Sequence, residues 1–307
     1  MWKGKGMHDE PGREPTQNPR TDALLGEVRQ RLDDGGVADP ATDAELLLAH
    51  VLGVTRGRVQ ALAVMREPLA PEAVAAVREL AEERARRIPL QHLTGRAPFR
   101  SIELAVGPGV FVPRPETEIV AQFAIDALQS VPDPEPLAVD LCTGSGALAL
   151  ALAHEVPSAR VWAVELSAEA RAWAERNIAE WGDGRVALVA GDATALSAIP
   201  ELGPLVGRVH VVVSNPPYVP SGMVPRDPEV RDHDPQLALY GGVDGLDVVR
   251  SISRSARELL VPGGAVVIEH AESQGRAIRE VLTADGWRAA ATHPDLTGRD
   301  RVTTALR

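Results

Sequence analysis

The feature that most constrains the fold is a regular alternation of apolar strands and helical segments in the second half of the chain. Strands are predicted at 137–142, 160–166, 185–191, 209–214 and 264–270, with a final pair around Trp287 and Val302. The intervening segments, about 146–155, 167–181, 246–260 and 274–284, have helical periodicity. Strands that alternate with helices predict an α/β fold with a doubly wound, mostly parallel sheet.

The first half of the chain has a different pattern. Residues 1–20 are polar, contain several Gly and Pro residues and lack the apolar stretch of a signal peptide, so a disordered extension is expected. Residues 21–90 predict a small helical bundle, with helices around Leu24–Leu32, from Glu45 to about Leu52, and from Pro71 to before Pro89. This bundle is expected to serve packing or docking.

Two further segment boundaries are predicted, one before residue 91 and one before residue 114. Residues 91–113 predict a β-hairpin linker, with short strands around Phe99 and Leu104 and a turn at Gly107-Pro108-Gly109. Residues 114–307 then form the α/β domain.

Composition narrows the class of partner. The 307 residues have a formal net charge of -11, which disfavours a surface built to grip nucleic acid. No apolar run reaches the length needed to span a membrane. The only cysteine, Cys142, excludes an intrachain disulfide, and a cytoplasmic protein is expected.

The loop after the first predicted strand suits close contact with a ligand. It reads Thr143-Gly144-Ser145-Gly146 and runs directly into a helix. Small residues let a ligand approach the backbone, and a helix N-terminus offers unpaired N–H groups to a phosphate or carboxylate. Together with Ala149 and Glu165, the loop also matches a dinucleotide-binding fingerprint. The loop by itself therefore leaves an NAD-dependent enzyme open.

Polar residues also end the next three predicted strands. Glu165 ends the second and can accept hydrogen bonds from both hydroxyls of a ribose. Asp192 follows the third and can accept from an adenine amine, and Asn215 follows the fourth. These strand ends converge where open parallel sheets bind ligands. The set suits adenosine with a methionine tail, although Asp192 could cap a helix and Glu165 could be a surface residue.

The most specific chemical signal is Asn215-Pro216-Pro217-Tyr218, after the fourth strand. Two consecutive prolines make this loop stiff. The side-chain oxygen of Asn215 and the carbonyl of Pro216 can accept both hydrogens of a planar NH2 group, and Tyr218 can stack on it. Orienting a poor nitrogen nucleophile in this way can lower a barrier by roughly 7–11 kcal/mol. The motif predicts methylation of a planar NH2 group, but it does not separate a glutamine amide from an adenine or cytosine amine.

Further motifs widen the comparison with known families. They are PLQHLTG at 89–95, PRPETE at 113–118, DLCTGSG at 140–146, RDHDP at 231–235, GGVDGLD at 241–247 and DLTGRDR at 295–301. With these and the Asn-Pro-Pro-Tyr motif, the sequence resembles the release factor glutamine methyltransferase family from about Thr21 to the C-terminus. The Asn-Pro-Pro-Tyr motif is shared with amino-methyltransferases of DNA and RNA, whereas PRPETE is much narrower.

The resemblance implies a seven-stranded class I methyltransferase sheet, S-adenosylmethionine as cofactor and no metal. It also implies peptide chain release factors as protein substrates, methylated on the glutamine of a Gly-Gly-Gln motif, with the helical domain helping to dock them. No nucleic-acid or membrane partner is implied, and a monomer is expected. The implied cofactor-binding residues are Cys142, Thr143, Gly144, Ser145, Gly146, Glu165, Asp192, Ala193 and Asn215. The implied catalytic and glutamine-binding residues are Asn215, Pro216, Pro217 and Tyr218, with Arg114 and Glu116 also at the cleft.

Some positions depart from the family or have an ordinary structural explanation. Cys142 replaces a usual glycine, so a positive φ there would strain it, and a small packed residue is favoured over a reactive thiol. His270-Ala271 replaces a more usual Ile-Gly, and His270 is expected to pack. His233 is expected only to order a charged loop. Arg114 and Glu116 could simply form a salt-bridged linker.

Three alternatives to a protein-glutamine methyltransferase remain. A nucleic-acid amino-methyltransferase should bring a basic groove, which the acidic balance disfavours. An NAD enzyme should contain a second mononucleotide-binding half, and none is found in the sequence. A non-catalytic scaffold would not need the intact loop from Asn215 to Tyr218.

Overall fold

The computed structural model describes residues 19–307, which divide into two compact units, one ending at Thr94 and the other spanning Gly95–Arg307. The predicted disordered extension lies outside the described residues, apart from Pro19 and Arg20. These two are paired with the loop before the fourth helix, where the Leu69 N–H donates to the Pro19 carbonyl at 3.2 Å. Over the described range, no helix is both long and apolar enough to cross a membrane.

The first unit is a helical bundle. Its helices are α1 (Thr21–Asp34), α2 (Pro40–Leu52), α3 (Arg56–Met65), α4 (Pro71–Ala85) and α5 (Leu90–Thr94). Leu24, Leu47 and Val77 lie in its core and are fully buried. The sequence predicted α1, α2 and α4 but missed α3, in which Val59 is the one buried residue, so that its apolar periodicity is weak.

The second unit begins with a hairpin of β1 (Arg96–Phe99) and β2 (Ile102–Ala105). A turn is present at Pro108 and Gly109 as predicted, but the strands themselves are joined by a reversal at Arg100 and Ser101 that the sequence did not predict. Arg100 adopts a positive φ of 52°. Its guanidinium group is held by Glu155 and Gln122, an interaction between distant residues that no local turn signal reveals.

The hairpin is followed by α6 (Thr117–Gln129), which the sequence reading also missed. It buries Val120, Ala124 and Leu128 at helical spacing against the sheet domain's core.

The central sheet has seven strands: β3 (Leu137–Leu141), β4 (Arg160–Glu165), β5 (Val186–Ala190), β6 (Val209–Ser214), β7 (Leu260–Glu269), β8 (Arg288–Pro294) and β9 (Asp300–Leu306). Their order is β5-β4-β3-β6-β7-β9-β8. Strands β3 to β7 are parallel, and β9 is antiparallel to both its neighbours. The predicted doubly wound, mostly parallel sheet is confirmed. Because β9 is antiparallel, the described chain contains no second mononucleotide-binding half of the kind an NAD enzyme requires.

Helices cover both faces of the sheet. They are α7 (Ala147–Glu155), α8 (Ala168–Trp181), α11 (Asp247–Leu259) and α12 (Gly275–Ala284), with short α9 (Pro228–His233) and α10 (Gln236–Leu239) after β6. Successive strand residues point to opposite faces, so Val212 packs in one core layer and Val211 and Val213 in the other. Burial on both faces explains the nearly continuous apolar strands. The strand order reverses between β3 and β6, which places a crevice at the carboxyl ends of these strands.

Candidate active site

A cavity of about 760 Å³ opens at the carboxyl ends of β3 to β7, within the size range of small-molecule sites. Most of the predicted site residues line it: Arg114, Glu116, Cys142, Thr143, Gly144, Ser145, Glu165, Asp192, Ala193, Asn215, Pro217 and Tyr218. Gly146 and Pro216 do not. Residues that are distant in sequence are therefore brought together, as the strand-end argument predicted.

Asp140, in strand β3, holds the glycine loop that follows the strand. Its Oδ2 accepts hydrogen bonds from the Thr143 hydroxyl at 2.5 Å and from the Ala149 N–H at 3.1 Å. Asp140 is fully buried, and burial raises the pKa of its carboxyl group to about 7. Gly144 and Gly146 have φ values of 58° and 88°, and Gly146 precedes α7 directly. Glycine is needed for this path, which turns the backbone toward the cavity.

Cys142 also has a positive φ, 61°, so the position that is usually glycine in the family does use left-handed backbone here. The side chain is partly buried and packs against the core layer that contains Leu141 and Val164. Burial raises the pKa of its thiol, which disfavours the reactive thiolate. The interpretation as a small packed residue agrees with this environment.

Glu165 is buried and faces the cavity, so its alternative role as a surface residue is wrong. Its Oε2 accepts from the Gly144 N–H and its Oε1 from the Ser167 N–H, each at 2.8 Å. These bonds fix the carboxylate plane at the end of β4. Each oxygen keeps a lone pair for a further donor, so the pair suits two vicinal hydroxyls.

Asp192 follows β5, the strand paired with β4, and lines the same cavity. Its Oδ1 accepts from both the N–H and the hydroxyl of Thr194 at 2.7 Å, which closes a tight turn rather than capping an α-helix. Its Oδ2 takes part in no hydrogen bond with the described residues and is available to a ligand donor. The preceding Gly191 packs closely, since a Cβ there would lie 2.2 Å from Ile199 Cδ1 and that side chain would have to move.

The loop at Asn215 follows β6 directly. The Ser214 hydroxyl donates to the Leu141 carbonyl at 2.7 Å and ties the loop to β3. The Asn215 Nδ2 donates to the hydroxyl oxygen of Thr117 at 3.3 Å. Because its nitrogen is used in this way, the Asn215 side chain keeps its Oδ1 as an acceptor for the cavity. Pro216 does not line the cavity, and its proposed carbonyl contact stays a prediction.

The 241–247 motif, which had no assigned role in the sequence, braces this loop. The Gly241 N–H donates to the Val219 carbonyl at 2.9 Å. A Cβ at Gly241 would lie 2.3 Å from the Pro217 carbonyl oxygen, and one at Gly245 would lie 2.2 Å from that of Tyr218. These glycines therefore allow two backbone segments to touch.

Arg114 does form an ion pair, as the linker alternative proposed, and it lines the cavity as well. Its Nη2 lies 2.8 Å from Asp234 Oδ2, and its guanidinium carbon lies 5.1 Å from the centre of the Phe111 ring. Burial raises the pKa of Asp234 to about 6, against the opposing effect of Arg114. Glu116 lines the cavity immediately before α6.

Several cavity residues were missed by the sequence reading, chiefly Thr117, Glu269 and Arg301. Glu269 ends β7 at the same edge as Glu165 and Asn215, so the strand-end rule could have found it. Burial raises the pKa of the Glu269 carboxyl group to about 7, while the Thr117 and Tyr218 hydroxyls and the Arg301 cation act in the opposite direction.

The two histidines do not line the cavity. His270 is fully buried, with Nε2 2.8 Å from Thr303 Oγ1 and Nδ1 2.8 Å from the Ala271 carbonyl, so it packs as expected. Its burial lowers the pKa of the ring. His233 ends α9 in the charged segment.

Two family models match different parts of this chain. A family model described as the PrmC N-terminal domain matches residues 23–95, and one described as a methyltransferase domain matches residues 138–215. A solved protein-(glutamine-N5) methyltransferase (release factor-specific) from Alicyclobacillus acidocaldarius is 27% identical, with a TM-score of 0.39, covering 66% of this chain and 98% of that one.

Curated relatives match over almost the full length. The release factor glutamine methyltransferase of Streptomyces coelicolor is 51% identical over 287 residues, covering 92% of this chain and 96% of the relative. That of Mycolicibacterium smegmatis is 49% identical over 273 residues, covering 89% and 92%. With this identity over both units and with a methyltransferase domain around the cavity, the chain belongs to the release factor glutamine methyltransferase family.

Proposed function

We propose that this protein methylates the side-chain amide N5 of the glutamine in the Gly-Gly-Gln motif of class 1 peptide chain release factors. S-adenosylmethionine would be consumed, and N5-methylglutamine and S-adenosylhomocysteine formed. The observation that carries the proposal is the orientation of Asn215, whose Nδ2 is occupied by Thr117 and whose Oδ1 is left to accept from an NH2 group. Family membership supports the same substrate class.

The donor set of the crevice fits S-adenosylmethionine. Glu165 would accept from the ribose hydroxyls and the Oδ2 of Asp192 from the adenine amine, while the loop from Cys142 to Gly146 and Ala193 would enclose the rest. The open space beside Gly144, where an added Cβ would meet nothing within 4 Å, lets a ligand lie against the backbone. When bound, this cofactor supplies an activated methyl group on sulfur.

The acceptor amide needs orientation more than it needs a strong base. Its nitrogen lone pair is delocalised, so the two hydrogens must be held in a plane while the open face of the nitrogen points toward the donor. Asn215 Oδ1 would accept one hydrogen and the Pro216 carbonyl the other, with Tyr218 stacked on the amide plane. Burial raises the pKa of Tyr218, so its ring stays neutral. The amide proton becomes acidic only after methyl transfer.

Other features belong to the same proposal. Arg114 and Glu116 would contact the peptide around the glutamine, since both line the cavity. The helical unit would help dock the release factor. A cytoplasmic monomer without a nucleic-acid or membrane partner is proposed, in keeping with the net charge of -11 and the single cysteine.

Transfer of a labelled methyl group to a purified release factor tests the proposal. Transfer should require the acceptor glutamine and disappear when that residue is changed to alanine in the factor. Persistent labelling of the altered factor, or labelling that nuclease removes, would contradict it. In the enzyme, Asn215→Ala should abolish transfer, and calorimetry should establish whether the variant still binds the cofactor.

A further inference from the structure

Glu269 is a buried residue of the cavity lining that has no role in the proposed function so far. Glu269 is 2% exposed, lines the cavity and has a carboxylate oxygen, Oε2, with no hydrogen-bond partner among the described residues. Ser214, the last residue of β6, is paired with Ile268, so Asn215 directly after β6 and Glu269 at the end of β7 are the next residues along the two neighbouring chains. An incompletely satisfied buried carboxyl group is costly, which makes a structural role alone a poor explanation.

The hydrogen-bond capacity of Thr117 connects these two residues. A threonine hydroxyl has one hydrogen and two lone pairs. Thr117 already accepts from Asn215 Nδ2, so its own hydrogen must be donated elsewhere. The Glu269 carboxylate, which lines the same cavity and whose Oε2 is buried with no other partner among the described residues, is the acceptor that fits.

We propose that Glu269 is a positioning residue, which accepts the Thr117 hydroxyl hydrogen and thereby holds the Asn215 amide with Oδ1 toward the substrate. This inference rests on the proposed function, since it concerns how the acceptor amide is recognised. A neutral group at 269 could donate to Thr117 instead. The Thr117 hydroxyl would then be free to donate to Asn215 Oδ1, and the flipped amide would present a donor to a substrate NH2 group that also donates.

The charge state of Glu269 follows from what surrounds it. Burial and the Glu116 carboxylate raise its pKa, and Thr117, Arg301 and Tyr218 lower it, giving a pKa of about 7. The ionised form of Glu269, which can only accept from Thr117, is lost as pH falls through this value. Turnover should therefore decline on the acid side of neutrality.

Paired variants separate positioning from general structural support. Thr117→Val removes the hydroxyl with little change in shape and should lower kcat by about 100-fold, the scale expected when a reacting group is misplaced. Thr117→Ser retains the hydroxyl and should recover most of the lost turnover. Affinity for S-adenosylmethionine, measured by calorimetry, should stay within about threefold of wild type in both variants, because each hydrogen bond to Glu165 and Asp192 is untouched.

The pH profile provides the decisive readout. The wild-type kcat should fall as pH decreases below about 7. In Thr117→Val and in Glu269→Gln this fall of kcat at acid pH should be smaller. Glu269→Gln removes a buried charge with little change in shape, so it can test the same inference if the Thr117→Val variant does not fold. Wild-type kcat and pH profile in either folded variant, or equal impairment in Thr117→Ser and Thr117→Val, would overturn the inference and leave the proposed function standing. Absence of transfer by the wild-type enzyme would instead overturn both.

Discussion

Arg114 and Asp234 form an ion pair across 120 residues of sequence, with Nη2 and Oδ2 2.8 Å apart. The Asp234 side chain is fully buried, whereas Arg114 keeps 30% exposure and faces the cavity. The pair joins the segment before α6 to the end of α9. A residue predicted to contact substrate thus also fixes one wall of the site.

Arg114→Ala should destabilise the protein at pH 8 by about 3–5 kcal/mol, because it leaves a buried carboxylate without its partner. The loss should be much smaller at pH 5, since the Asp234 pKa of about 6 already favours the protonated form there, and removing the cation raises it further. Urea unfolding at the two pH values measures this difference. The double variant Arg114→Ala/Asp234→Asn should recover stability at pH 8, and equal losses at both pH values would contradict the argument.

The two strand-end carboxylates should control cofactor affinity. We expect Glu165→Ala and Asp192→Ala each to weaken S-adenosylmethionine binding by roughly 10–100-fold, the equivalent of one or two hydrogen bonds to a charged group. Isothermal titration calorimetry measures this directly. Glu175→Ala on α8 removes the same charge from an exposed residue outside the cavity lining and should bind normally. Normal binding in both strand-end variants would refute the adenosine assignment.

Tyr218 should contribute mainly to turnover. Tyr218→Ala removes the ring proposed to stack on the amide and should lower kcat by roughly 10–100-fold, because the acceptor loses orientation. Cofactor affinity should change little. Tyr218→Phe keeps the ring, so its kcat in steady-state kinetics should be higher than that of the alanine variant. An equal loss of kcat in the two variants would show that stacking by the ring does not contribute to turnover.

Most strands and the longer helices that follow them in the sheet domain could be predicted because each has a strong local pattern, whereas α6 was missed. Strand β3 is apolar except for Asp140 because it is largely buried, and β6 was predicted with the bounds that the structure shows. The turn at Arg100 could not be predicted, since its positive φ is stabilised by Glu155, 55 residues further along the chain. Tertiary contacts of this kind override local turn signals.

The candidate site was predictable where a motif coincides with a strand end. Glu165, Asp192 and Asn215 were found in this way. The same rule applied to β7 predicts Glu269, whereas its neighbour His270 is buried and is not part of the cavity lining. Thr117 lies within the PRPETE motif at 113–118, yet its hydrogen bond to Asn215 depends on the position of α6 and has no sequence signal.

Cys142 provides a test of backbone strain. A non-glycine residue at a φ of 61° costs roughly 1–2 kcal/mol, so Cys142→Gly should relieve strain. Cys142→Ala is the matched control, because it removes the same sulfur and keeps the Cβ. We expect the glycine variant to be at least as stable as the alanine variant in chemical unfolding, although glycine ordinarily costs about 1 kcal/mol relative to alanine. A clearly less stable glycine variant would indicate that this conformation is unstrained.

Asp140 should make stability depend on pH in the neutral range. Burial raises its pKa from 3.8 to about 7, so the native state binds a proton that the unfolded state releases above pH 4. Its contribution to stability is therefore full below the unfolded pKa and is lost as pH rises through 7. Asp140→Asn cannot titrate, so the stability of the wild type relative to this variant should fall by a few kcal/mol between pH 4 and pH 8.

Comparison with the asparagine variant isolates this effect from other titrating groups. The raised pKa of Glu269, about 7, makes stability fall with rising pH in the same way, whereas the lowered pKa of His270 has the opposite effect on stability. Both residues are present in the wild type and in the variant, so their effects cancel in the comparison. Asparagine can still accept from Ala149 and the Thr143 hydroxyl through its oxygen. Guanidinium unfolding across this pH range measures the difference, and a wild-type advantage that grows with pH would mean that Asp140 is ionised and stabilised by its two donors.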